Sequence, residues 1–404
     1  MTTVHREPGV VPREPWEGGR RFMSRAAATA VAGLALTAVG GVYDPRRALY
    51  AYLVAFVYWI GIAIGALILL GSFHASNARW PVVVRRFVET AAATLPLFVV
   101  LFIPILLGMK HVFVWANPPP GLDRVMEEAI HHKLPYLNAR VFFARAVLYF
   151  VFWIVVAHLL RAWSLRQDVA GGTTLTRWQR RLGSGSLPFL ALTMTFASFD
   201  WMMSLDPRFF STIFGPYWFA GSFVGTFAVT IIAGALTRED PGGFGHLMSA
   251  EHFHALGKFL LAFVAFWAYM AFSQFMLIWI ANIPEEVPWY VARIHGGWAW
   301  VFWFLIVFHF VVPFFLLLSR DLKRNPVTLS WISAWMLFAH WVDVYWLIMP
   351  TLSPGGPRPT LWDLTAFVGV GAAAVAYGTF RMRGTLTVPV RDPYLEDSLR
   401  YLPQ

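Results

Sequence analysis

The sequence predicts an all-α integral membrane protein with ten transmembrane helices. Three observations carry this. Hydrophobic residues make up 58% of the 404-residue chain and charged residues only 13%, whereas a soluble domain carries nearer 25% charge. The apolar residues lie in long unbroken runs, not in the ten-residue alternation of barrel strands. Ten of those runs meet or approach the roughly 20 residues that a helix needs to cross a bilayer core. A water-soluble enzyme and a disordered chain are both excluded by this composition.

The runs lie at 24–42, 48–74, 82–108, 141–165, 187–205, 213–236, 251–282, 296–319, 329–349 and 361–380. Arg20, Arg21, Phe22 and Met23 precede the first, in the manner of a twin-arginine signal peptide. Nine further spans follow, so the run is read as a retained helix. Lys and Arg counted by side give 21 on the side of the termini and 9 on the other, leaving out Arg145 and Lys258 inside spans. The positive-inside rule then places both termini in the cytoplasm.

Between spans, 109–140 is the longest outer loop, long enough for a small docking surface. The stretch 166–186, rich in Gly, Thr and Arg, is read as a cytoplasmic loop. The tail 381–404 mixes prolines with charges and is expected on the surface, against a partner. The net charge of +10 lies between apolar runs, which points to lipid head groups and not to nucleic acid. With no cysteine, disulfides, thiolate-held metals, iron–sulfur clusters and c-type haem attachment are excluded from this chain. No Walker, GxSxG or HExxH motif is present.

Ionisable groups inside spans cost roughly 2.5–3.5 kcal/mol each on insertion scales and so need a reason. In the seventh span Glu251, His254, Lys258, Tyr269 and Ser273 share a helical face. That stripe suits proton transfer, or else an interfacial cap with Lys258 snorkelling. In the fifth span Thr193, Asp200 and Ser204 share a face. Glu89 in the third lies four and three residues after Arg85 and Arg86, the spacing of a local ion pair. Arg145 lies one turn into the fourth span and is expected to snorkel. Ser333, His340 and Asp343 share a face in the ninth span, and His309 sits mid-depth in the eighth. Two mid-membrane histidines raise a haem reading. No histidine pair stands 13 residues apart, so each is expected to hydrogen-bond a neighbouring helix instead.

Glu89, Glu251, His254 and Lys258 thus lie toward the cytoplasm, His309 and His340 near mid-depth, and Asp200 and Asp343 toward the outside. These eight are the candidates for a proton path in two halves. Asp200, Lys258, His340 and Asp343 form its expected centre.

Five strings carry a family resemblance: SFDWMMSLDPRFFSTIFGPYWFAG at 198–221, LGKFLLAFVAFWAYMAFSQFMLIWIANIPEE at 256–286, WYVARIHGGW at 289–298, FHFVVPFFLLLSRDLKR at 308–324 and WVDVYWLIMP at 341–350. They resemble the large membrane subunits of alternative complex III, a bacterial quinol:cytochrome c oxidoreductase, within the wider NrfD/PsrC-like superfamily. The front half, with YWIGIAIGALILL and WPVVVRRFVETAAATLPLF, resembles the ActF kind of subunit. The histidine-bearing second-span motif of the ActC kind has no counterpart at 58–70.

The resemblance implies two four-helix bundles, within 48–205 and 206–350. A first helix within 24–47 and a last within 351–380 flank them, with cytoplasmic ends at 1–23 and 381–404. It implies assembly in the bacterial inner membrane with an ActC-like quinol-site subunit, multihaem and monohaem cytochrome c subunits, an iron–sulfur subunit and a terminal oxidase as a further candidate. The c-type haems and iron–sulfur clusters would then sit in those partners and no redox centre in this chain. Quinone contact stays open. The functions so implied are scaffolding and proton conduction; a quinol-oxidising subunit and an independent transporter are the alternatives.

Overall fold

The structure, a computed structural model, describes residues 11–402. Arg6, one of the charges counted on the side of the termini, and most of the 1–23 segment's first half lie outside the described residues. Among the described residues there are helices and no strands. Ten helices are long and apolar enough to cross a membrane: α1 (Arg20–Tyr43), α2 (Pro45–Ala75), α3 (Val82–Leu107), α4 (Ala139–Ala170), α5 (Thr174–Leu205), α6 (Phe214–Leu236), α7 (Ala250–Ala281), α8 (Gly296–Leu318), α9 (Pro326–Thr351) and α10 (Leu361–Met382). The chain is a multi-pass helical membrane protein.

Local sequence sets the helix starts. Asp44 accepts from the Arg47 amide and Pro45 occupies the first turn of α2. Asn138 accepts from the Val141 amide at 3.0 Å to begin α4. Asn325 followed by Pro326 opens α9, and Thr360 with Asp363 closes a reciprocal cap on α10. Each satisfies amides that the first helical turn leaves without partners.

One expectation fails here. The stretch 166–186 is helix, not loop: α4 runs on to Ala170 and α5 begins at Thr174. Only three residues join them, with Gly171 and Gly172 at φ +66° and +75°, a region that favours glycine. Hydropathy marks where the apolar run ends, and these helices continue past it.

Helix α2 sits at the centre. It packs against α1, α3, α5, α6, α9 and α10, and 94% of its most apolar window is buried, with mean hydropathy 2.6. In α1, α7 and α8 only 22% of the corresponding window is buried, and side chains such as Trp279, Trp300 and Phe315 point outward. Since lipid is as apolar as leucine, close packing and hydrogen bonds join the helices. Between α1 and α10, a Cβ on Gly33 would lie 2.8 Å from the Gly369 Cα, and Thr37 and Thr365 share a hydrogen bond of 2.9 Å. Between α6 and α2, the Thr226 hydroxyl donates to the Ile62 carbonyl at 3.1 Å.

The two ends of the described chain meet. The Trp16 amide donates to the Thr385 carbonyl at 3.0 Å and the Gly384 amide to the Trp16 carbonyl at 3.1 Å. Beyond Gly384 the tail folds back onto the start of α3. Val388 and Leu395 are buried, the Ser398 hydroxyl donates to the Trp80 carbonyl at 2.6 Å, and Asp392 pairs with Arg85 at 2.6 Å. The tail expected on the surface is docked against the start of α3 of its own chain.

Candidate functional site

The polar side chains inside the helices collect in separate groups. On the side of the termini, Glu89 lies 3.4 Å from both Arg85 and Arg86. The expected local pair is thus part of something larger. Arg86 also meets Asp168 of α4 at 2.5 Å, and Arg85 meets Asp392. The Ser164 hydroxyl donates to Glu89 at 2.7 Å. Arg161 donates to the Thr90 hydroxyl at 2.7 Å and to the Arg381 carbonyl at 2.5 Å. Three guanidinium groups face three carboxylates, so the group is balanced in charge. It ties α3, α4, α10 and the tail together.

At the start of α7, Glu251 pairs with Arg324 at 2.5 Å, while His254 stands 3.7 Å from it. The rest of the expected stripe does not continue inward. Lys258 is exposed on the helix surface, and Tyr269 is 62% exposed, because this face of α7 has no neighbour over it. Lys258 therefore stands apart from Asp200, His340 and Asp343. Beside it, in the segment after α8, the buried Lys323 donates to the Leu317 carbonyl and, at 3.2 Å, to the Leu318 carbonyl. Burial, with the Lys258 charge adding to it, lowers the Lys323 pKa.

At the other end of the helices, Asp200 accepts from Arg145 Nε at 2.9 Å and Nη2 at 2.7 Å, and from the Tyr149 hydroxyl at 2.9 Å. Arg145 also donates to the Tyr136 carbonyl at 2.8 Å and lies 3.7 Å over that ring. Arg145 does not snorkel. A carboxylate on the next helix, α5, offers its fork a bidentate seat, which outweighs reaching for water. Thr193 of the same α5 face accepts from Trp153 Nε1 at 2.9 Å, and the Ser204 hydroxyl donates to the Asp200 carbonyl at 2.6 Å.

The remaining group joins α8 and α9. His309, His340 and Asp343 are all buried, and one donor atom from each lies within 4.8 Å of the others. Asp343 accepts from the Tyr217 hydroxyl and from Trp267 Nε1 at 3.1 Å. Neither ring nitrogen of His309 or His340 has a hydrogen-bond partner, which corrects the expectation that each would bond a neighbouring helix. Ser333 shares the α9 face, and its hydroxyl has no partner either. Position 309 falls in a wide turn, Leu305–Val311, of π-helical spacing. Pro313 lacks the amide that would serve the His309 carbonyl four residues back. A turn widened to the next donor is the usual remedy, and such turns often mark functional sites. On α6, Gly221 makes the room: a Cβ there would lie 2.5 Å from His340 Cε1.

Among the described residues no direct hydrogen bond or ion pair joins these groups to one another. Trp201 of α5 meets Trp218 of α6, ring centroids 6.2 Å apart, where apolar rings flank the Asp200 group. The eight candidates are thus divided among four places.

Several participants were not singled out from sequence. Arg161, Ser164 and Asp168 are spaced at three and four residues, which already sets them on one face of a helix. Tyr149 follows Arg145 by four residues for the same reason. Tyr217, Trp267 and Asp392 gave no local signal, since their partners lie on distant segments. Arg293, counted as a loop charge, is 3% exposed. It donates to the Trp289 and Leu347 carbonyls at 2.9 and 2.8 Å, and burial lowers its pKa to about 9.

A search of protein-family profiles finds none that matches the chain, and a search of curated proteins finds no match.

Proposed function

We propose that this chain is a scaffolding membrane subunit of a respiratory quinol:cytochrome c oxidoreductase of the alternative complex III kind, in the ActF position. Its strings at 198–221, 256–286, 289–298, 308–324 and 341–350 support the assignment. One observation carries the scaffolding role. The buried guanidinium groups of Arg85 and Arg86 and the half-buried one of Arg145 are closed onto carboxylates of other segments, an arrangement that locks helices. The packing is consistent with two bundles. Helices α2 to α5 contact one another in a ring, α6 to α9 do likewise, and α1 and α10 lie beside α2. Haem-bearing, iron–sulfur and ActC-like subunits would supply the redox centres, and a terminal oxidase is a further partner. Purification in mild detergent tests this. Haem absorbance and iron should co-elute with the chain, and a colourless chain eluting alone sinks the reading.

The charge asymmetry supports a cytoplasmic location for both termini in a bacterial inner membrane. A reporter fused after Gln404 should then be active only in the cytoplasm; activity only on the far side refutes it.

Proton transfer is a second reading, favoured by one observation: Asp200 is a buried carboxylate with a phenol and a guanidinium on its oxygens. In an assembled complex, Asp200→Asn should change the protons moved per electron. An unchanged ratio in a complex that still oxidises quinol removes this role.

A further inference from the structure

We propose that His309, His340 and Asp343 form a binding site for one divalent cation of the zinc class, which bridges α8 to α9 inside the membrane.

The donor set comes first. Two imidazoles and a carboxylate are ligands that suit zinc and its neighbours, not calcium or magnesium, which require shells of oxygen. Donors held about 2.0–2.2 Å from a tetrahedral ion stand roughly 3.3 Å apart. His340 Nδ1 and Asp343 Oδ2 already stand 3.6 Å apart, and one donor atom of each of the three residues lies within 4.8 Å of the others. Small side-chain rotations close the remainder.

The second observation is independent of spacing. His309 is 0% exposed and His340 1%, yet all four of their ring nitrogens lack a hydrogen-bond partner. Buried polar groups are nearly always partnered, and each exception calls for an explanation. A bound cation supplies one, because it takes the lone pairs that no protein donor meets.

The third is charge. The buried carboxylate Asp200 has the guanidinium of Arg145 against it. Asp343 is equally buried, and among the described residues no lysine or arginine pairs with it. A divalent ion provides the missing positive charge. The outer contacts also fit. Tyr217 and Trp267 donate to Asp343 and fix its orientation, as groups behind metal ligands do. Tyr58 packs on the His340 ring at 5.1 Å and Trp267 on the His309 ring at 3.9 Å. Gly221 leaves the space in which His340 turns. Three donors leave one tetrahedral position for a further ligand. With the ion bound, His309, His340 and Asp343 hold a metal and leave the expected proton path.

The test uses the full chain carrying a tag without histidine, with the exposed His131 and His132 replaced by alanine. Metal content by mass spectrometry should be close to one zinc-class ion per chain, as purified or after incubation with Zn2+ and gel filtration. X-ray absorption at the zinc edge should show two imidazole nitrogens. Asp343→Asn and His309→Gln, each similar in size to the residue replaced, should weaken binding by more than about tenfold, and Tyr217→Phe by less than either. The exposed His158→Ala should leave it unchanged. Absence of stoichiometric metal from the Zn2+-treated chain overturns the proposal, as does a coordination shell without imidazole. Equal binding by variants that elute as folded protein also overturns it. The absorption measurement on the unaltered site decides the matter even where the variants fail to fold.

Discussion

Replacing Arg145 by alanine should destabilise the protein by on the order of 3–5 kcal/mol, because it leaves the Asp200 carboxylate buried without its cation. Asp200 is 1% exposed and accepts two of its three side-chain hydrogen bonds from that guanidinium. The loss should be visible as a lower unfolding midpoint in detergent and a smaller folded fraction on gel filtration. Asp200→Leu alone should also be costly, since it leaves the half-buried Arg145 guanidinium without its carboxylate. The double variant Arg145→Met, Asp200→Leu should recover most of the loss, because an apolar pair of similar volume needs no compensation. If the single Arg145 variant melts within about 0.5 kcal/mol of the parent, as an exposed pair would, the pair does not lock α4 to α5.

Ending the chain at Gly384 should have the second-largest effect. The deletion removes Asp392 from Arg85 and Ser398 from the start of α3, and it uncovers Val82, Val83 and Val84, each now 0% exposed. Asp392→Ala alone should account for on the order of 3 kcal/mol, the cost of breaking a buried pair from one side. Ser398→Ala should cost about 1 kcal/mol. Unfolding midpoints of the three variants in the same detergent should fall in the order deletion, Asp392→Ala, Ser398→Ala. Parent-like melting of the deleted chain would show that the tail contributes no stability to α3.

The spans were legible because their signal is local: a run of apolar side chains long enough to cross hydrocarbon. The helical stretch at 166–186 was not, since α4 and α5 continue there with polar side chains, and hydropathy does not tell a polar helix from a loop. Glu89 was legible for the same reason as the spans, its arginines being one turn away. Arg145 was misread because its partner lies 55 positions on, and no periodicity connects the two. Facial position predicted that Lys258 would join an inner stripe. Which face of α7 turns inward is decided by neighbouring helices, and α7 leaves that face open. The grouping of His309 with Asp343 depended on a widened turn at Pro313 together with the absence of a side chain at Gly221. Each residue was visible in sequence; their joint effect was not.

The central burial of α2 has a consequence for biosynthesis. This helix is made before α6, α9 and α10, yet much of its surface is covered by them. Roughly 140 residues separate the end of α2 from the start of α6, about 7–28 s of synthesis at 5–20 residues per second. Through that interval the faces of α2 not yet covered by α6, α9 and α10 must be stable against lipid, and its high hydropathy suits it to wait there. Helix α10, made after α6 and α9, then completes the seat of α2. A ribosome that stalls after α5 therefore leaves in the membrane a chain whose core helix still faces lipid where α6 should be.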